Sequence, residues 1–127
     1  MNGTHENGII TYTAAAAATK GTLVKFTGET DAGGRPTVTP TTAANDAAIG
    51  AVIDACNAGD DVAVAILGSY RGTMLVKAGG AISRGAQIAA DGTATAAATD
   101  VIVGRALDAA AAEGDLIEVA HQVGQVK

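Results

Sequence analysis

Two histidines, one cysteine and thirteen acidic side chains are the groups in this sequence that could hold a metal or move a proton. His5 lies in the polar opening MNGTHENG and His121 near the other end, and neither has a carboxylate or thiol at a ligand spacing. An imidazole without such company reads as a surface residue. Cys56 stands alone, which forbids an intrachain disulfide and a cysteine-based zinc site, and reads as a small buried apolar residue. Asp54 and Asp108 follow similar stretches and invite pairing as general acid and base. An Asp just after a strand more simply caps the next turn by accepting backbone N–H bonds, and that is the role expected of both. Gly59-Asp60 and Gly114-Asp115 read as turns, because a calcium loop needs oxygen donors at alternate positions and Asp60-Asp61 is the only dense acidic cluster. Gly33-Gly34 and Gly79-Gly80 lack the spacing of a phosphate-cradling loop, and no Ser-His-Asp order or nucleophile elbow occurs. The inventory predicts no catalytic residue, no metal site and no cofactor: the protein is not expected to be an enzyme.

The elements that carry these residues are short. Apolar stretches recur between glycine-centred turns at Ile9 to Thr13, Thr22 to Thr27, Pro36 to Thr39, Ile49 to Ile53, Val62 to Leu67, Thr73 to Lys77, Gln87 to Ala89, Val101 to Leu107 and Leu116 to His121. Their length, β-branched content and regular turn spacing predict an all-β chain, a small antiparallel β-barrel or β-sandwich. Thr22-Leu23-Val24-Lys25-Phe26 and Leu116-Ile117-Glu118-Val119 alternate as half-buried strands do. Val62 to Leu67 is apolar on both faces, which suits a central strand or one covered by a neighbouring subunit. The alanine runs Ala14 to Ala18, Ala96 to Ala98 and Ala109 to Ala112 are too short for stable helices and read as loops or single turns. Gly28 to Asn45, with both prolines and five threonines, reads as a long exposed excursion with a short edge strand at Thr37 to Thr39. Residues 1–8 read as a flexible N-terminal arm and 9–127 as a single β domain.

Composition narrows the function. The chain has 127 residues, of which 48% are hydrophobic, yet 30 are Ala, 15 are Thr and only three are aromatic. So finely grained a core gains less from each buried side chain than an aromatic one, which points to association with other copies or a partner surface. A net charge of -5 with scattered basic residues argues against nucleic acid. There is no apolar run of about 18 residues for a membrane span. The opening lacks the basic and apolar parts of a secretory signal, so synthesis in a cytoplasm is expected.

An internal repeat organises the chain. Ile49-Gly50-Ala51-Val52-Ile53-Asp54-Ala55 with Gly59-Asp60 and Val62-Ala63-Val64-Ala65 returns as Val103-Gly104-Arg105-Ala106-Leu107-Asp108-Ala109 with Gly114-Asp115 and Ile117-Glu118-Val119-Ala120. Upstream, Lys20-Gly21-Thr22-Leu23-Val24 with Gly28 pairs with Arg84-Gly85-Ala86-Gln87-Ile88 with Gly92. The copies run over about residues 20–67 and 84–122 and differ mainly by the Gly28 to Asn45 insertion. Two copies are too few for a solenoid, so one β structure built from two related halves is expected.

In order and spacing these motifs, together with Ile10-Thr11-Tyr12-Thr13-Ala14 and Gly68-Ser69-Tyr70-Arg71-Gly72, resemble the small decoration, or capsid cement, proteins of tailed bacteriophages. The resemblance spans almost the whole chain. It implies a β-barrel or β-sandwich without enzymatic activity on the outer surface of the virion's capsid, often as a homotrimer, clamping neighbouring subunits of the major capsid protein. The candidate oligomer or capsid contacts are Ile9, Tyr12, Val62, Val64, Ile66, Tyr70 and Arg71. The alternatives are another phage structural or adhesive β module, such as a tail or fibre component binding receptor or glycan, and a cellular ligand-binding or enzymatic β domain. Tyr12, Phe26 and Tyr70 are too few and too dispersed to suggest a glycan platform.

Overall fold

The computed structural model describes residues 7–127, so Met1 to Glu6 of the expected arm lie outside the described residues. All nine apolar stretches are strands: β1 (Ile9–Ala14), β2 (Leu23–Thr30), β3 (Pro36–Pro40), β4 (Gly50–Val52), β5 (Asp61–Ile66), β6 (Met74–Lys77), β7 (Gln87–Ala89), β8 (Val101–Ala106) and β9 (Leu116–Val126). No helix occurs among the described residues, and the three alanine runs are loops apart from Ala14 and isolated bridges at Ala18 and Ala110.

The first five strands form a closed barrel in the order β1-β3-β2-β4-β5, and the last four form a sheet in the order β6-β9-β8-β7. Tyr12, Val24, Val38, Val52, Val62 and Val64 fill the barrel. β5 runs antiparallel between β1 and β4, with Tyr12 opposite Val62 and Val52 opposite Val64. Side chains alternate across a strand, so Ala65 and Leu67 leave the barrel on its outer side. There they join Leu23, Ala48 and Ala51 in a second core with Met74, Val76, Ile88, Val103, Ile117 and Val119 of the sheet. The two-faced apolar strand is therefore a central one, covered on both faces by its own chain.

The two halves share one pairing order, β1-β5-β4-β2 in the barrel and β6-β9-β8-β7 in the sheet. Registers correspond residue by residue. Tyr12 opposes Val62 as Val76 opposes Ile117, Val52 opposes Val64 as Ala106 opposes Val119, and Leu23 opposes Ala51 as Gln87 opposes Arg105. The bridges Ala18–Cys56 and Ile82–Ala110 repeat as well.

The excursion within Gly28 to Asn45 is what makes the halves differ. Its β3 is not an edge strand: it pairs antiparallel with β2, Phe26 opposite Val38, and parallel with β1, Ala14 opposite Val38. Its prolines stand at the two ends of the strand, where a missing N–H is tolerated. The second half has only the bridge Ile88–Ala94 at this place, and its sheet closes instead against the barrel wall. The wall positions Leu23, Ala51, Ala65 and Leu67 become Gln87, Arg105, Ala120 and Gln122 in the second copy, three of the four polar.

Candidate functional site: the barrel end beside the connection

Four of the seven expected contact residues converge at one end of the barrel. Ile9 opens β1 opposite Ala65, and Ile66 closes β5 and donates its N–H to the Gly8 carbonyl at 2.8 Å. A turn follows in which Ser69 and Tyr70 donate back to the Ile66 carbonyl at 3.1 and 2.9 Å, and Arg71 donates to the Asn7 carbonyl at 3.3 Å. Asn7 in turn accepts the Ile9 N–H on its side-chain oxygen at 3.1 Å. Ile9, Ile66 and Tyr70 are half-buried and Arg71 is exposed. Gly8 fits only without a side chain, since a Cβ there would run into the Ser69 carbonyl group. Asn7 and Gly8 are thus held against the connection between the halves.

That connection, Gly68 to Gly72, begins and ends on glycines with φ of 79° and 81°, the left-handed region that other residues avoid. His121 on β9 spans it. Gly68 donates its N–H to Nδ1 at 2.9 Å, and Nε2 lies 2.8 Å from the Gly72 carbonyl. The Tyr70 ring packs on the second core and tilts toward the imidazole, with centroids 6.1 Å apart. Beside it, Lys20, Ile53, Tyr70, Thr73 and Met74 line a shallow groove of about 200 Å³ between barrel and sheet.

The other three expected contacts, Tyr12, Val62 and Val64, are interior. Their side chains fill the barrel and cannot touch another copy or a shell, because the pleat turns them inward and β3 closes the barrel around them. Burial pushes the Tyr12 phenol up, and Phe26 meets its ring edge-on at 5.2 Å.

The carboxylates bind turns, though not in the pattern expected. Asp108 accepts the Glu118 N–H on β9 at 3.2 Å instead of capping the following alanines, and Asp54 has no hydrogen-bond partner among the described residues. Asp60 and Asp115 do hold their Gly-Asp turns, accepting from Asn57 at 2.9 Å and from Ala111 and Ala112 at 2.9 and 3.2 Å. Asp46 and Asp100, not singled out in the sequence, are matched clamps. Asp46 accepts from Thr42 and Ala43 at 2.8 and 3.0 Å, and Asp100 from Ala96 and Ala97 at 2.7 and 3.0 Å. Both are held below the usual carboxylate range, Asp46 by the Thr42 and Ala43 N–H groups and Lys25, Asp100 by the Ala96 and Ala97 N–H groups and Lys127. Asp31 is lowered chiefly by the Thr13 hydroxyl and the Arg35 N–H, and organises the β2–β3 turn. The signal for the matched pair was an Asp closing a Thr- and Ala-rich run in each copy, TTAAND and TAAATD. Among the described residues no three or more of His, Cys, Asp and Glu are grouped to hold a metal ion.

A family model described as phage cement protein matches residues 4–121. Among solved structures, the head fiber gp8.5 N base of bacteriophage phi29 has a similar fold, with a TM-score of 0.67 and 19% identity over 94% of this chain and 97% of that one. No curated protein matches the chain in sequence.

Proposed function

The chain belongs to the phage cement protein family, and from that membership we propose that it binds the outer surface of an assembled phage capsid and ties neighbouring major capsid protein subunits together as a homotrimer. The observation that carries this reading is the family match over nearly the whole length of the chain. The fold agrees with it, since a similar one serves in a head fiber base. The work is binding, not turnover: a protein that binds only the intact lattice stabilises it by mass action, and many equivalent sites make the total large even when each is weak.

The surface proposed to meet the shell is the barrel end of Ile9, Ile66, Tyr70 and Arg71, half-buried apolar groups beside one exposed cation. A chain of net charge -5 is not held by packaged DNA, so its attachment falls only modestly with added salt, unlike the steep loss of a phosphate binder. The test compares heads assembled with and without the protein. Heads lacking it form but release DNA at lower temperature or under osmotic shock, purified protein restores their resistance, and a reconstruction shows threefold density outside the shell. Equal robustness of both kinds of head overturns the reading.

A further inference from the structure

We infer that His121 is a proton-operated clamp on the connection between the two halves, closed while the imidazole is neutral and released when it takes a second proton. The inference does not depend on the cement reading. The geometry dictates the tautomer. Gly68 presents an N–H, so Nδ1 opposite it must carry the lone pair, and the Gly72 carbonyl, an acceptor, must meet a hydrogen on Nε2. One ring thereby joins two backbone groups four residues apart and holds both ends of the turn. Protonating Nδ1 leaves two N–H groups facing each other, and the Gly68 bond is lost.

No carboxylate bonds to the ring to offset that loss. The charged and titratable side chains on the surrounding elements are Tyr70 and Arg71 on the connection, Lys77 on β6, whose ammonium donates to the Thr19 hydroxyl, Glu118 on β9 and Arg105 on β8. Glu118 accepts the Thr73 hydroxyl and Arg105 donates to the Gly85 carbonyl, so neither bonds to the ring. The two ion pairs among the described residues, Lys25–Asp46 and Arg35–Asp61, involve neither His121 nor its neighbours. Imidazole ordinarily gains its second proton within the range pH 5 to 8. Opening loosens the turn whose Arg71 N–H fixes Asn7 and whose closing bond to β5 flanks Gly8. Acidification thus loosens the hold on Asn7 and Gly8 at the entry to β1.

The test is proton and nitrogen NMR on the full chain, followed from about pH 8 to about pH 5. At the alkaline end the His121 nitrogens report a bare Nδ1 and a protonated Nε2. On acidification the Gly68 amide loses about tenfold of its exchange protection, the factor one hydrogen bond of ordinary strength carries, in step with the titration of His121. The variant H121Q, whose carboxamide takes no proton in this range, shows the same Gly68 protection at every pH, whereas H5A, which alters the only other histidine, retains the transition. Gly68 protection that is flat across the range in the unaltered chain, or a transition that survives in H121Q, overturns the clamp.

Discussion

Gly50 and Gly104 stand at the same place in the two halves, each pressed beneath a backbone carbonyl of the neighbouring strand: a Cβ on Gly50 would run into the Ala65 oxygen and one on Gly104 into the Ala120 oxygen. Neither obstacle is a movable side-chain tip, so β4 must shift away from β5, or β8 from β9, to admit a methyl group. Gly50→Ala and Gly104→Ala are each expected to cost about 1–3 kcal/mol of unfolding free energy, the usual range for overpacking. Gly80→Ala, where a Cβ meets open space, stays within about 0.5 kcal/mol of the parent. Urea unfolding of the three variants checks the pattern, and similar values for all three would deny the close approach.

Acid stability follows from the clamps of Asp46 and Asp100. Both carboxyls bind a proton less readily in the folded chain than in the unfolded one. Their contribution is therefore complete above the unfolded value near pH 3.9 and disappears as the pH falls through the lowered folded values. The chain accordingly loses stability from about pH 5 downward. In the double variant Asp46→Asn, Asp100→Asn the acceptors no longer titrate, so stability at neutral pH drops and its decline with acid becomes shallower. Melting midpoints between neutral and strongly acid pH measure this, and an unchanged slope would remove these carboxylates from the account.

On β9, Ile117 is fully buried in the second core while Leu116 beside it is 45% exposed. Ile117→Ala is expected to cost about 2–5 kcal/mol and Leu116→Ala no more than about 0.5 kcal/mol. Denaturant unfolding decides the contrast, and comparable costs would mean that the outer face of this sheet is covered.

The strands were legible because each is an apolar or alternating run ended by a turn residue, a purely local signal. What joins them is not local. The parallel pairing of β3 with β1 depends on residues 24 positions apart, Ala14 and Val38, and a Thr- and Pro-rich run looks like an edge whether or not a partner returns to it. The covering of Ala65 and Leu67 by the second sheet was invisible for the same reason, so the two-faced run suited a central strand and one covered by a neighbouring subunit alike. β9 runs on past His121 to Val126 because Val101 and Ile102 pair with Val126 and Gln125, although Gln122, Gly124 and Gln125 weaken the apolar pattern. The repeat itself was readable, since side chains that meet the same neighbours in both halves kept the same types: Val64 and Val119, Gly50 and Gly104, Asp60 and Asp115.

Arg71 offers the sharpest test of where the protein attaches. Its backbone N–H is committed to Asn7, but its guanidinium has no partner among the described residues, and it stands beside the half-buried Tyr70, Ile66 and Ile9. An arginine next to an aromatic ring is the kind of group that dominates interfaces, because its fork satisfies carboxylates and carbonyls while its plane packs on apolar surface. Removing it takes no bond from the fold, so Arg71→Ala melts within about 0.5 kcal/mol of the parent. Attachment to heads weakens by about tenfold or more, the cost of truncating an interface anchor. Leu107→Ser, at an exposed leucine just past β8, serves as the comparison and leaves attachment unchanged. Cosedimentation of each variant with undecorated heads gives both numbers under one condition. If Arg71→Ala binds as tightly as the parent while Leu107→Ser does not, the shell contact lies on the outer face of the second sheet and the barrel end faces away from the capsid.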